Sequence, residues 1–262
     1  GCCFRNSVPL SDCMVLPLPV CCAVGPVFIT RTTQVARPLC KFIPQKAKTL
    51  DFGSLLGPVG YQHSERTRLA AMTDIELREK WDRRYDEAPQ VPGALEVLIE
   101  NLHLLPVQGT ALDLACGLGG SGLLLARRGL QAWAWDLSPV AIETLAKNAE
   151  ALPLRAEVRD VVENPPEPER FDVICVGHFL DRALCSRIAE ALKPGGLLFY
   201  QTFSLERVDE SGPGNPRYRL APNELLELFP QLLVRFYRDE GGVGDRSRGF
   251  RNRAQLVAQR PV

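Results

Sequence analysis

The stretch Asp113–Gly122 reads DLACGLGGSG, and its reading decides the fold. Gly117, Gly119 and Gly122 satisfy the pattern G-x-G-x-x-G, which suits a strand that turns tightly into a helix with a ligand held against bare backbone. The residues ahead of it, TALDLA at 110–115, form a strand run; those behind it, GSGLLLARRG at 120–129, form a helix run that closes on Gly129 as a C-terminal cap. A dinucleotide would place its pyrophosphate on that helix N-terminus, and the strand before such a turn is normally apolar. Here the strand carries Asp113. A nicotinamide dinucleotide and a cationic cofactor both remain candidates on this motif alone.

Outward from the turn, strand and helix runs alternate, which predicts a parallel sheet covered by helices. A helix is expected over 74–85, and a second over 94–104 with Leu95, Leu98, Ile99 and Leu102 on one apolar face. After the turn come a strand QAWAWD ending at Asp136 and a helix capped by Ser138 with Pro139 at its first position. Strands at 154–158 and 171–176 follow, then a helix over 181–192. The run KPGG leads to a fifth strand LLFYQTF, a short helix covers 222–228, and LLVRFYRDE and RAQLVAQ complete a count of seven strands.

Several segments in this order carry a family likeness: DLACGLGG at 113–120, WDLSPVAIE at 135–143, Arg159 with Asp160, FDVICV at 171–176 and LKPGG at 192–196. From Trp81 to Gln259 the chain resembles the class I S-adenosylmethionine-dependent methyltransferases. KWDRRYDE, GHFLDRALCSRIAEALKPGGLLFYQTFS and GNPRYRLAPNELLELF are similar to the small bacterial group that includes tellurite-resistance and thiopurine-type enzymes. The resemblance implies a Rossmann-like, seven-stranded, mostly parallel sheet with helices on both faces and an antiparallel last strand.

It also implies a cofactor and its contacts. S-adenosylmethionine has no phosphate; it carries an ammonium and a sulfonium, for which Asp113 is a suitable partner. Gly117 and Gly119 let the backbone approach the ligand without a Cβ between, and Asp136 accepts from the ribose hydroxyls, a role it would also have with a dinucleotide. Leu137 and Val176 would line the adenosine pocket, Asp160 would accept from the adenine amino group, and the Val161 amide would meet the ring. The family commonly has glycine where this chain has Ala115, and a small residue still fits there.

For the acceptor, the resemblance points to a small molecule, a soft anion such as tellurite or selenite or a thiol; in anionic form, a thiolate included, it needs positioning in line with the methyl and no base. His178, which follows the fourth strand, and Asp181 are the candidate bases for a neutral acceptor. Arg217 and Arg219, in the loop SGPGNPRYR, are candidate partners for an anionic substrate, and Tyr85 is a further candidate contact. Trp81 and Tyr85, four residues apart, share a helix face and either close over the cofactor or pack in the core. Cys116 and Cys175 read as small apolar fillers. No metal-ligand spacing is present. A nicotinamide-dependent oxidoreductase, or an S-adenosylmethionine-binding protein that transfers nothing, are the competing readings.

Composition bounds the partners. The 262 residues carry 31 basic and 31 acidic side chains, so no global field points to nucleic acid or an anionic membrane, and a cytoplasmic location is expected. Six of nine cysteines fall within residues 1–40 without C-x-x-C spacing or regular period. The apolar run 14–29 is broken by Pro17, Pro19 and Pro26, follows a single basic residue, and is short of the roughly twenty residues of a span. After Met72 the text becomes charged and helix-favouring. The expected division is a methyltransferase domain at 72–262 and, at 1–71, a poorly ordered extension or upstream sequence carried along by a misplaced start. The residue pattern leaves the oligomeric state open.

Overall fold

The computed structural model describes residues 74–87 and 90–262; the expected N-terminal extension lies outside them. Its seven strands are β1 (Thr110–Leu114), β2 (Gln131–Asp136), β3 (Leu154–Val158), β4 (Phe171–Gly177), β5 (Leu192–Phe203), β6 (Leu233–Asp239) and β7 (Arg253–Gln259). They form one sheet in the order β3-β2-β1-β4-β5-β7-β6. The first five are parallel, and β7 runs antiparallel to both β5 and β6, as the resemblance implied.

This order matters for function. The chain starts in mid-sheet, moves outward through β2 and β3, then returns to place β4 beside β1. At that reversal the connections leave in opposite directions and open a crevice at the carboxyl ends of the strands, where open α/β sheets bind ligands. Leu114 pairs with Trp135 on one side and Val176 on the other, so the turns after β1, β2 and β4 all begin at one level.

Six α-helices accompany the sheet among the described residues: α1 (Asp74–Glu87), α2 (Glu96–Glu100), α3 (Gly120–Arg127), α4 (Pro139–Asn148), α5 (Cys185–Ala191) and α6 (Glu224–Leu228). β4 is apolar without alternation because both of its faces are covered. Ile174 and Val176 join a cluster with Trp135, Phe171 and Tyr200, while Val173 and Cys175 join Leu98, Leu125 and Phe199.

Three local expectations are corrected. The helix expected over 94–104 stops at Glu100, because the Asn101 side chain folds back to donate to the Val97 carbonyl, and a 3-10 turn Leu102–Leu104 follows. Ile99, placed on its apolar face, is half exposed. The helix expected over 181–192 begins only at Cys185, because Asp181 accepts from the Leu184 amide and closes the preceding turn. KPGG is not a loop before β5 but part of it, an irregularity that moves the pairing from Phe171–Leu192 to Val173–Leu197. No helix among the described residues is long and apolar enough to cross a membrane.

Candidate active site

The turn after β1 is a left-handed staircase. Ala115, Gly117 and Gly119 have φ of 54°, 52° and 76°, a region that costs an L-residue with a Cβ about 1–2 kcal/mol. Two of the three positions therefore carry glycine, and neighbours press on both. A Cβ on Gly117 would come within 2.8 Å of the Tyr85 phenol oxygen, and one on Gly119 within 2.4 Å of Leu145 Cδ1. Ala115 thus sits where glycine would be unstrained, which gives its departure from the family pattern an energetic cost.

Two buried carboxylates organise this turn. Asp113 Oδ2 accepts from the Gly122 amide at 2.7 Å. Asp136 Oδ2 accepts from the Gly117 amide at 2.7 Å, and its Oδ1 accepts from the Ser138 amide at 2.9 Å. Neither carboxylate forms an ion pair with a described residue. Burial pushes the Asp113 carboxyl up to about 7, against the pull of the Gly122 amide and with help from the Asp136 charge. Asp136 is raised as well, by burial and by Asp82, against the amides of Ser138, Gly117 and Leu137. The turn thus gathers two acids that no cation among the described residues pairs with. That fits the ammonium and sulfonium of S-adenosylmethionine and opposes the two negative charges of a pyrophosphate.

Ser138 caps α4 by accepting from the Ala141 amide at 3.2 Å, and its hydroxyl donates to Asp82 of α1. Helix α1 thereby lies beside the crevice, with Trp81 and Tyr85 stacked at 5.8 Å between centroids. Tyr85 rests on the glycine turn and does not line the larger cavity described below. Burial, Asp136 and Cys116 push its phenol up, so it stays protonated. Burial likewise pushes the Cys116 thiol well up, in keeping with a packed filler.

Of the residues expected to meet the adenine, Leu137 is half-buried after β2 and Val161 is buried after β3. Asp160 Oδ1 accepts from the amides of Val162 at 2.9 Å and Glu163 at 3.2 Å, so one oxygen shapes the turn. Arg159 does not pair with Asp160. Its guanidinium bonds the Asn164 and Pro165 carbonyls and lies 3.9 Å from the Trp135 ring centroid.

Across the crevice, His178 follows β4 in the left-handed conformation, φ 55°, with its amide donating to the Gln201 carbonyl at 2.8 Å. Its imidazole packs 5.1 Å from the Phe203 ring and makes no hydrogen bond to a described residue. The residue is exposed, and its ring is partly desolvated where it packs on Phe203. This partial desolvation, with the nearby Arg253 and Arg84, outweighs Glu96 and holds the imidazole below its ordinary range. It is therefore neutral near pH 7.

Phe203 opens onto a cavity of about 580 Å³ between the 208–212 and 246–253 segments. The arginines that line it are Arg246, Arg251 and Arg253, not the expected Arg217 and Arg219. Arg219 is buried, and its guanidinium is occupied by the carbonyls of Pro213, Ser204 and Ser211; Arg217 is exposed on the neighbouring 3-10 turn. Asp181 is not brought to His178 either. It lines a smaller cavity of about 200 Å³ with Val162, Pro165 and Arg187.

Sequence reasoning missed Arg253. Its guanidinium grips Glu96 through two bonds, at 2.7 and 3.3 Å, while the Gln201 side chain donates to Glu96 and accepts from the Val97 amide. Only the run of arginines in GDRSRGFRNR signalled it, and that run reads equally well as a solvated hairpin. The structure instead ties it down, with Arg251 bonding the carbonyls of Glu240, Gly241, Asp245 and Arg248.

The methyltransferase domain family matches residues 111–196, the segment from β1 to the irregular start of β5. The matched segment is similar to a methyltransferase domain, and the fold around it is one shared with solved S-adenosylmethionine-dependent methyltransferases.

Among solved structures, TehB from Haemophilus influenzae is 22% identical over 69% of this chain and 67% of its own, with a TM-score of 0.51. Geranyl diphosphate C-methyltransferase from Streptomyces coelicolor A3(2), solved with Mg2+, geranyl diphosphate and S-adenosyl-L-homocysteine, is 15% identical over 72% of this chain and 98% of its own, with a TM-score of 0.55. A protein solved for the conversion of a disulfide bond into a thioacetal group during echinomycin biosynthesis is 22% identical over 71% of this chain and 92% of its own, with a TM-score of 0.55. At these identities the likeness is one of fold. No curated protein matches the sequence.

Proposed function

We propose that the protein methylates a small-molecule acceptor through a soft nucleophile, with an organic thiol as the preferred class, and that His178 takes the acceptor's proton. The observation that supports this most is the imidazole of His178, beside Phe203 and without a hydrogen bond to a described residue, directly after β4, the strand paired with the one that carries Asp113. When bound, S-adenosylmethionine supplies a methyl group on a sulfonium, which a thiol takes with loss of one proton, leaving a thioether and S-adenosylhomocysteine.

The chain's own residues do the rest. Asp113 holds the cofactor's ammonium, Asp136 holds the ribose, and Ala115, Gly117 and Gly119 present backbone to the ligand. Leu137, Val161 and Val176 wall the adenine, with the second oxygen of Asp160 accepting from its amino group. His178 receives the thiol proton and releases it to solvent, work that general bases typically perform with a roughly 10²–10⁴-fold effect. Phe203 fixes one side of the acceptor. A pre-ionised acceptor such as tellurite or selenite would bypass His178.

Calorimetry on the full chain with S-adenosylmethionine, S-adenosylhomocysteine and NADH should show micromolar binding of the first two and none of the third. An acceptor screen should then find thiols methylated, with His178→Gln lowering their turnover near pH 7 about 100-fold or more and moving the rise of rate to the higher pH at which the thiol ionises by itself. Binding of NADH in preference would overturn the cofactor assignment for this chain. Turnover of tellurite or selenite but of no thiol would overturn the acceptor class.

A further inference from the structure

The cavity beside Phe203 has a chemistry that the cofactor does not use. One wall is aromatic, and two others are bare backbone, at Gly212 and Gly249. Its volume of about 580 Å³ is that of a site for an organic molecule and far exceeds what a small oxyanion needs. Its charge is unbalanced in one direction. Arg246, Arg251 and Arg253 border it, against a single lining carboxylate, Asp209.

That carboxylate is turned to local work. Asp209 Oδ1 accepts from the Ser211 amide at 2.8 Å and from Asn252 Nδ2 at 2.7 Å. Arg251 is fixed by loop carbonyls, which satisfy its N–H groups but do not cancel its charge, and the Glu240 carboxylate stands 3.8 Å away. Arg253 is held by Glu96 from behind. Among the described residues Arg246 spends only one N–H, on the Arg207 carbonyl at 3.3 Å, which leaves most of its planar donor fork for a carboxylate or a similar anion.

We propose that this cavity is the acceptor site and that it selects an organic acceptor bearing an anionic group remote from its nucleophile, read by Arg246 in the field of Arg251 and Arg253. Phe203 and His178 take the nucleophilic end, and the arginines take the charged end. That the nucleophile is a thiol rests on the functional reading above; the charge selection does not.

The test uses two benzylic thiols of nearly equal thiol acidity, 3-(mercaptomethyl)benzoate and its methyl amide, with the full-length protein. The carboxylate should show about tenfold or more higher kcat/KM, expressed mainly in KM, and Arg246→Glu should lower the ratio of the two by about tenfold or more. Calorimetry with the unreactive S-methyl thioethers of both compounds, in the presence of S-adenosylhomocysteine, keeps the two readings apart. Binding that favours the carboxylate and depends on Arg246, without turnover of either thiol, would leave the charge selection standing and remove the thiol reading. Turnover of both thiols at equal kcat/KM, or an equal loss for both in Arg246→Glu, would overturn the charge selection. So would failure of both thioethers to bind.

Discussion

The carboxylate of Asp113 reaches across the glycine turn to the amide of Gly122, 2.7 Å away, so the acid we propose as the partner of the cofactor's ammonium also ties β1 to the first turn of α3. One group thus carries a folding role and a binding role whose pH dependences run in opposite directions.

Burial raises the folded-state value of Asp113 to about 7, from an ordinary 3.8. The folded protein therefore holds this proton more tightly than the unfolded chain. Its contribution to stability is fully present below about pH 4 and is lost as the pH rises through about 7. Cofactor affinity runs the other way, because the ammonium needs the ionised acid, and should fall about tenfold per pH unit below about 7. Asp113→Asn should melt higher than the wild type at about pH 8, with the gap narrowing toward about pH 5, while losing cofactor binding at both. Thermal melts and calorimetry across that range check both signs.

Asp136 accepts from the amides of Gly117 and Ser138 and, on our reading, from the ribose. Asp136→Ala should weaken S-adenosylmethionine and S-adenosylhomocysteine binding about 100-fold or more, equivalent to roughly 2.7 kcal/mol. Equal loss for the two ligands in calorimetry is expected, because the ribose is common to both.

Ala115 holds a left-handed φ of 54°. Ala115→Gly should relieve this strain while giving back some chain entropy, for a net gain of roughly 0.5–1 kcal/mol. The melting temperature should rise with cofactor affinity retained, and denaturant titration checks the magnitude.

Gly119 faces Leu145 so closely that a Cβ would sit 2.4 Å from Cδ1. Gly119→Ala should cost about 2–4 kcal/mol, part overpacking and part left-handed strain. In a Leu145→Ala background the same change should cost only about 1 kcal/mol, the conformational share. A double-mutant cycle in urea measures the difference.

The frame of the sheet was legible because its signals are local: a period, a cap at Ser138, or a glycine demanded by the turn. The bounds of β2 and β3 and the cap on α4 follow from neighbouring residues alone. The shortened α2 and α5 depend on side chains, Asn101 and Asp181, that can bond to their own backbone as easily as continue a helix. The acceptor side was least legible. Arg219 and Arg251 look alike in sequence to Arg246, and only the fold shows that the first two are absorbed by carbonyls while the third keeps its donors. Glu96 and Arg253 meet across 157 residues, a separation over which no periodicity speaks.

The grip between Glu96 and Arg253 also sets an order of assembly. The cofactor turn is built from residues 113–138, so a growing chain can shape it early. The opposite wall needs Arg253 from β7, the last strand described, and β5 is an open edge until β7 pairs with it. During synthesis the protein therefore passes through a stage with a formed glycine turn and without the wall that Arg253 completes, its β5 backbone exposed to any other strand within reach.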